Sequence, residues 1–135
     1  MYLLDTNILS ELIKRQPDPK VAGRFQSARA GELFTSVIAV EEICYGARIG
    51  PTGNRLWEKM QSQVLHRVTV QPLDQAIAMA GGQLRGDWKI QGTPVGYRDG
   101  LMAATALARG LILVTRNIKH FDHVAGLKVE NWFAG

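Results

Sequence analysis

The chain has 135 residues, of which 46% are hydrophobic. This length suits one domain with a substantial core and is too short for two, so we expect a single domain spanning residues 1–135. Sixteen Lys and Arg against twelve Asp and Glu leave a formal net charge of +4, which is compatible with a polyanionic ligand. We find neither the roughly 18-residue apolar stretch of a membrane span nor a secretion signal, and we therefore expect a cytoplasmic protein.

Short apolar runs alternate with amphipathic stretches along the chain. The short runs predict strands at residues 2–4, 33–35, 67–70, 111–114 and 127–130. The amphipathic stretches predict helices at residues 8–13, 19–30, 37–48, 54–66, 75–84 and 99–110, the first of them capped by Thr6 or Asn7. This alternation is typical of a three-layer α/β/α domain with a mostly parallel central sheet.

Three acids that are far apart in the sequence are the candidate metal ligands and catalytic residues: Asp5, Glu42 and Asp99. In parallel α/β sheets, ligands bind beyond the carboxyl ends of the strands. Asp5 directly follows the first predicted strand, and Glu42 and Asp99 lie in early helical turns that can point to the same edge. Carboxylates gathered there need a cation to offset their repulsion, and hard oxygen ligands favour Mg²⁺ or Mn²⁺.

Two of these acids also have a purely structural interpretation. Asp5 could cap the first helix, although Thr6 and Asn7 could do the same, and an acid after a buried strand is costly to desolvate without a partner. Metal ligation is therefore the better interpretation for Asp5. Asp99 in a first helical turn is favoured by the helix macrodipole alone, so there the two interpretations weigh equally.

Glu41 and Glu42 are neighbours, separated by about 100° of rotation around a helix. Glu41 is predicted to lie on a solvated face. Glu42 lies between Ile38, Tyr45 and Ile49, and an acid on an otherwise apolar stripe needs a partner. Glu42 is therefore the better candidate ligand.

Further polar residues at the same sheet edge are the candidate substrate-binding residues: Thr6, Thr115, Arg116 and Asn117. The hydroxyl of Thr115 and the amide oxygen of Asn117 could instead cap the turn between them. Arg116 could contact a phosphate or pair with the acidic cluster.

The histidines and the single cysteine are not predicted to carry chemistry. The histidines lack the spacing of a zinc site, and surface roles are expected for all three: His66, His120 and His123. Cys44 can form no internal disulfide, which fits a reducing cytoplasm. Because Cys44 lies among apolar residues at helical spacing, including Ile43 and Ala47, we expect a buried core thiol.

Four short motifs together resemble PIN-domain proteins of the VapC toxin type, the ribonuclease half of bacterial toxin–antitoxin pairs. They are LLDTN at residues 3–7, the pairs Ser36-Val37, Glu42-Ile43 and Tyr45-Gly46, DGLMAA at residues 99–104, and VTRN at residues 114–117 with Phe121. Any one of these is weak, but four in this order and spacing are specific. The similarity covers essentially the whole chain.

This resemblance implies metal-dependent endonucleolytic hydrolysis of RNA, with Mg²⁺ or Mn²⁺ held by Asp5, Glu42 and Asp99. It also implies a homodimer and a cognate VapB-like antitoxin that blocks the site. Relatives often carry a fourth acid where this chain has Asn117, which leaves the presence of a second metal open.

Other interpretations of the same motifs are weaker. Phosphatases of the haloacid dehalogenase type have a second Asp two residues after the first, and at that position this chain has Asn7. A receiver-like signalling domain would need further acids beside the first strand and a Lys after a late one, and neither is evident. A catalytically degenerate PIN domain that binds RNA or protein without cutting is kept open by Asn117.

Overall fold

The computed structural model describes residues 1–134, and its centre is a five-stranded sheet in which every pairing is parallel. The strands are β1 (Tyr2–Leu4), β2 (Leu33–Ser36), β3 (Thr69–Gln71), β4 (Ile112–Val114) and β5 (Val129–Glu130). Their order in the sheet is β3-β2-β1-β4-β5, and Leu4 of β1 pairs with Thr35 on one side and Val114 on the other. The predicted parallel α/β sheet is confirmed.

Six helices connect the strands and cover both faces of the sheet. They are α1 (Thr6–Leu12), α2 (Pro19–Ser27), α3 (Val37–Ile49), α4 (Gly53–Gln63), α5 (Gln75–Ile90) and α6 (Tyr97–Arg109). Successive strand residues point to opposite faces, so Leu4 packs in a core with α1 to α4, whereas Leu3 packs in a second core with α5 and α6. These helices form the two outer layers, which confirms the three-layer architecture.

The strand order reverses between β1 and β4. The chain passes from β1 to β2 on one side of β1, whereas β4 lies on the other side and leads outward to β5. Such a switch point leaves a crevice at the carboxyl ends of the two strands. Asp5 and Thr115 are the first residues after β1 and β4, and the backbone N–H of Asp5 donates to the carbonyl of Val114 at 2.9 Å. Two predicted site residues therefore stand at this crevice.

The largest departures from the predicted element bounds lie in the middle of the chain. Helix α4 ends at Gln63, a 3₁₀ turn follows at Leu65–Arg67, and β3 begins only at Thr69. Val64 and Val68 flank this turn and are both buried, so the tighter turn brings two apolar side chains into the core. Helix α5 runs beyond its predicted end. Within residues 1–134, no helix is long and apolar enough to cross a membrane.

The turn between α3 and α4 requires a glycine at position 53. A Cβ atom on Gly53 would lie 1.8 Å from the carbonyl oxygen of Ala47, a backbone atom that can move only if α3 shifts. The predicted helix break at residues 50–53 is confirmed, since α3 ends at Ile49 and α4 begins at Gly53.

Cys44 is exposed, so the prediction of a buried thiol is wrong. The buried residues of α3 are Ala39, Ile43 and Ala47, which recur every fourth residue on one face. Cys44 follows Ile43 directly and therefore lies about 100° around the helix from that face.

Glu11 ties α1 to the start of α2. Its carboxylate accepts the backbone N–H of Asp18 at 2.7 Å and pairs with Lys14 at 2.7 Å. The hydrogen bond from Lys14, followed by that from Asp18, holds the pKa of Glu11 below its ordinary value of 4.5. Because this pKa is lowered by folding, ionised Glu11 stabilises the fold above pH 4.5, and that contribution disappears as the pH falls through the lowered pKa.

We expect Glu11→Gln to lower the free energy of unfolding by about 1–2 kcal/mol at pH 7, since the bonds to a charged acceptor become bonds to a neutral one. The difference from the wild type should shrink steadily as the pH is lowered below 4.5. Urea unfolding across a pH series measures both quantities. A difference that stayed constant with pH would mean that packing, not ionisation, explains the effect.

Candidate active site

Asp5 is the buried anchor of the crevice, with no exposed surface. It is the N-cap of α1, so neither Thr6 nor Asn7 caps this helix as predicted. One carboxylate oxygen accepts the backbone N–H of Thr6 at 2.8 Å, and the other accepts the hydroxyl of Thr115 at 2.8 Å. The capping interpretation of Asp5 is therefore confirmed, and metal ligation by the same carboxylate stays a prediction.

Glu42 reaches the crevice from α3. The hydroxyl of Thr6 donates to Glu42, which joins the two across the crevice. The apolar stripe that singled out Glu42 is only partly real, because Tyr45 and Ile49 are 55% and 70% exposed. Glu42 does have polar partners, as expected, although its surroundings are not the buried apolar stripe that was predicted. Glu41 is exposed, as predicted.

Asp99 enters from α6, in the third position of the helix rather than the first, because Gly96 forms the N-cap. One of its oxygens lies 3.2 Å from Nδ1 of His120, which sits in a short 3₁₀ turn at Ile118–His120. The predicted surface role of His120 is therefore incomplete: the ring is exposed, but it also contacts a candidate ligand.

The guanidinium of Arg98 joins all three acids. Its Nε donates to both oxygens of Glu42 at 3.1 and 2.9 Å, its Nη1 donates to Asp99 at 3.0 Å, and its Nη2 donates to Asp5. Nη2 also donates to the hydroxyl of Thr6 at 3.0 Å. The three acids predicted from the sequence are thus brought together around one cation that belongs to the chain itself.

Arg98 and Glu42 each stabilise the charged form of the other. Burial disfavours the charged form of Arg98, but hydrogen bonds to Glu42 and Asp5 outweigh it and raise the arginine pKa above its ordinary value. Burial likewise opposes ionisation of Glu42, yet hydrogen bonds from Arg98 and Thr6 hold the pKa of its carboxyl below the ordinary value. Glu42 is therefore an anion at neutral pH.

Sequence reasoning missed Arg98 and His120 as members of the cluster. One signal for Arg98 was available: a basic side chain in the first turn of a helix opposes the helix macrodipole, so it needs acids nearby. His120 lies three residues after Asn117, on the loop that was already predicted to reach the site. Arg116 was considered as a partner for the acids, but Arg98 takes that place.

Three of the four predicted substrate-binding residues line an open cleft beside the acids, and the fourth, Thr115, does not. The volume of the cleft is about 540 Å³, and its lining includes Thr6, Arg116 and Asn117 together with Lys14 and His120. Thr115 is fully buried below it and accepts the backbone N–H of Asn117 at 3.1 Å. Arg116 is exposed, and its guanidinium lies 4.3 Å from the ring centroid of Phe133. That aromatic contact orients the arginine at the cleft without using its hydrogen-bond donors.

The donor set of the cluster suits a hard divalent cation. Three carboxylates face one guanidinium, so the cluster keeps a net negative charge, and every anionic donor is an oxygen. Across residues 1–134, no three Asp, Glu, His or Cys side chains stand in positions to share one metal ion. The Arg98 guanidinium lies between the three carboxylates and keeps them apart.

Comparison with known proteins finds full-length relatives. The PIN domain family model matches residues 2–127. The tRNA(fMet)-specific endonuclease VapC of Shigella flexneri is 37% identical over 131 residues, which are 97% of each protein. Ribonuclease VapC2 of Haemophilus influenzae is 35% identical over the same shares. Among solved structures, DNA-bound VapBC from Salmonella typhimurium aligns over 97% of each chain with a TM-score of 0.87 and 31% identity.

These similarities extend over the sheet, both helical layers and the crevice. They agree with the resemblance that four sequence motifs had indicated. The chain belongs to the PIN-domain family, and within it to the VapC ribonucleases.

Proposed function

We propose that the protein is the ribonuclease toxin of a type II toxin–antitoxin pair and that it hydrolyses RNA phosphodiester bonds internally with the help of Mg²⁺ or Mn²⁺. The observation that carries this proposal is that Asp5, Glu42 and Asp99 gather around the Arg98 guanidinium at the switch point of the sheet. The nuclease activity follows from the family. The metal and the role of each residue are our proposal.

Asp5, Glu42 and Asp99 would hold the cation through their carboxylate oxygens. When bound, a divalent cation lowers the pKa of a coordinated water and offsets negative charge on the scissile phosphate. Thr6 and Thr115 position the acids, because each donates a hydroxyl hydrogen bond to one of them. Glu42 is the best placed of the three acids to position the attacking water or accept its proton, since its side chain is the most exposed of the three.

The cleft is suited to the RNA backbone. Lys14, Arg116 and His120 line it, and Arg116 is the cation most clearly free to contact a phosphate, because Phe133 stacks on its guanidinium without occupying an N–H group. Asn117 adds a neutral amide at the same wall. These contacts favour phosphate recognition and carry little base information, so we expect the RNA fold to determine most of the specificity.

The proposed partner is a VapB-like antitoxin, and the proposed location is the cytoplasm. Solved relatives support this partner, since they include FitAB bound to an IR36 DNA fragment and VapBC from Salmonella typhimurium bound to DNA. A homodimer is the assembly we propose for the toxin itself. Tyr45 and Ile49 on α3 are exposed apolar side chains that a protein partner would cover.

The proposal is tested by incubating purified protein with total RNA and with initiator tRNA, the substrate for which the Shigella flexneri relative is named. With Mg²⁺ or Mn²⁺ we expect discrete fragments, and EDTA should abolish them. Asp99→Asn should slow cleavage by roughly 10²–10³-fold, because it removes one charge aimed at the reacting centre.

Asp87→Asn is the matched control, since Asp87 is an exposed acid on α5 away from the cluster. It should cleave at the wild-type rate. Cleavage that survives both EDTA and Asp99→Asn would rule out this site. Intact RNA with a folded wild-type protein that still binds RNA would instead favour a catalytically degenerate binding module.

A further inference from the structure

We infer that Arg98 is a built-in competitor of the catalytic metal: its guanidinium occupies the cation position among Asp5, Glu42 and Asp99, and a divalent ion binds there only after it leaves. This inference rests on the proposed metal-dependent function and adds a form of regulation to the same site. The chain would then exist in two states, one closed by its own arginine and one open to metal.

Arg98 and a metal ion would need the same carboxylate oxygens. Arg98 takes both oxygens of Glu42 and one oxygen each of Asp5 and Asp99. The second oxygen of Asp5 accepts the Thr115 hydroxyl, and the second oxygen of Asp99 faces His120. The carboxylates are therefore committed while the guanidinium is in place.

The cleft beside the acids offers space into which the Arg98 side chain can move. That side chain is 31% exposed and lines the open cleft of about 540 Å³. It is attached to the first turn of α6, where a cation is opposed by the helix macrodipole, so the acids rather than the helix hold it inward. When a doubly charged ion meets these acids, that hold is lost and the side chain can swing into the cleft.

Competition by Arg98 would weaken metal binding. An occupant that must leave lowers the apparent affinity for a ligand in proportion to the fraction of molecules in the open state. Arg98 makes hydrogen bonds to three carboxylates, two of them mostly or fully buried, so the closed state should dominate without metal. Removing the guanidinium should therefore tighten metal binding.

The direct test compares Mn²⁺ binding by wild type, Arg98→Gln and Arg109→Gln, measured by calorimetry and by the electron paramagnetic resonance signal of free Mn²⁺. Arg109 is the matched control because it lies at the other end of α6, in an exposed ion pair with Asp74 at 2.7 Å. We expect Arg98→Gln to bind Mn²⁺ at least about tenfold more tightly than wild type. Arg109→Gln should bind as wild type does.

Thermal unfolding provides a second readout that does not depend on activity. Without metal, Arg98→Gln should have the lower melting temperature, because buried Asp5 loses its counter-cation. Saturating Mg²⁺ should raise the melting temperature of this variant more than that of wild type, since no internal contact is given up.

A third readout uses the unmodified protein. In ¹⁵N-labelled wild type, the Nε–H resonance of Arg98 should shift on addition of Mg²⁺ to the chemical shift of a free arginine. Its proton should then also exchange rapidly with solvent. Equal Mn²⁺ affinity in wild type and Arg98→Gln, or an Arg98 resonance that ignores Mg²⁺, would overturn the inference while leaving the proposed function in place. Failure of both proteins to bind any divalent ion would overturn the inference and the proposed metal site together.

Discussion

Asp5→Asn should yield a folded protein that cleaves RNA roughly 10³-fold more slowly than wild type. Asp5 is buried, caps α1 through its contact with the Thr6 backbone and accepts the hydroxyl of Thr115. Asparagine caps helices about as well as aspartate does, so the start of α1 is retained. What is lost is a negative charge at the switch point that would help to hold the proposed metal, and the metal in turn would offset negative charge developing on the scissile phosphate.

The measurement is the single-turnover cleavage rate with Mg²⁺, accompanied by urea unfolding of each protein. Asp74→Asn is the matched control, because Asp74 caps α5 by accepting the backbone N–H of Ile77 at 2.9 Å and lies outside the crevice. It should cleave as fast as wild type. Rapid cleavage by Asp5→Asn would place the chemistry elsewhere, and an unfolded Asp5→Asn protein would show that its charge is required for the fold.

Trp132→Ala should produce the largest loss of stability, about 3–5 kcal/mol in the free energy of unfolding. The indole is 1% exposed and packs edge-on against Tyr2 of β1 at a centroid distance of 5.4 Å. The guanidinium of Arg24 from α2 lies 5.0 Å from its ring centroid, and the indole N–H donates to Glu130 at 3.1 Å. Trp132 thus joins the 3₁₀ turn at Trp132–Ala134 to β1 and to α2.

Trp132→Phe separates packing from hydrogen bonding. Phenylalanine retains an aromatic ring between Tyr2 and Arg24 but cannot donate to Glu130, so we expect a smaller loss, about 1–2 kcal/mol. Urea unfolding monitored by circular dichroism measures both variants on the same scale. Equal losses in the two variants would assign the effect to the hydrogen bond, contrary to our interpretation.

The parts of the fold that sequence reasoning predicted correctly are those determined by local pattern. Leu3 and Leu4 are both apolar because β1 is covered on two faces, and such a run reads as a buried parallel strand. Residues 50–53 read as a helix break, and Gly53 meets a close backbone approach. Prediction was weakest where a helix was exposed on one side, as with Cys44 and Tyr45, because apolar composition alone does not say which face is covered.

The candidate site divides along the same line. Local sequence pattern was enough to place Asp5 and Thr115 at one edge of the sheet, because both directly follow strands and the carboxyl ends of parallel strands share an edge. The position of Arg98 among Asp5, Glu42 and Asp99 is apparent only from the three-dimensional packing. Its position depends on α6 and α3 approaching β1 from opposite layers of the fold. Periodicity along the chain does not encode how closely two such helices approach. A long flexible side chain then turns toward the charges that this packing brings within its reach.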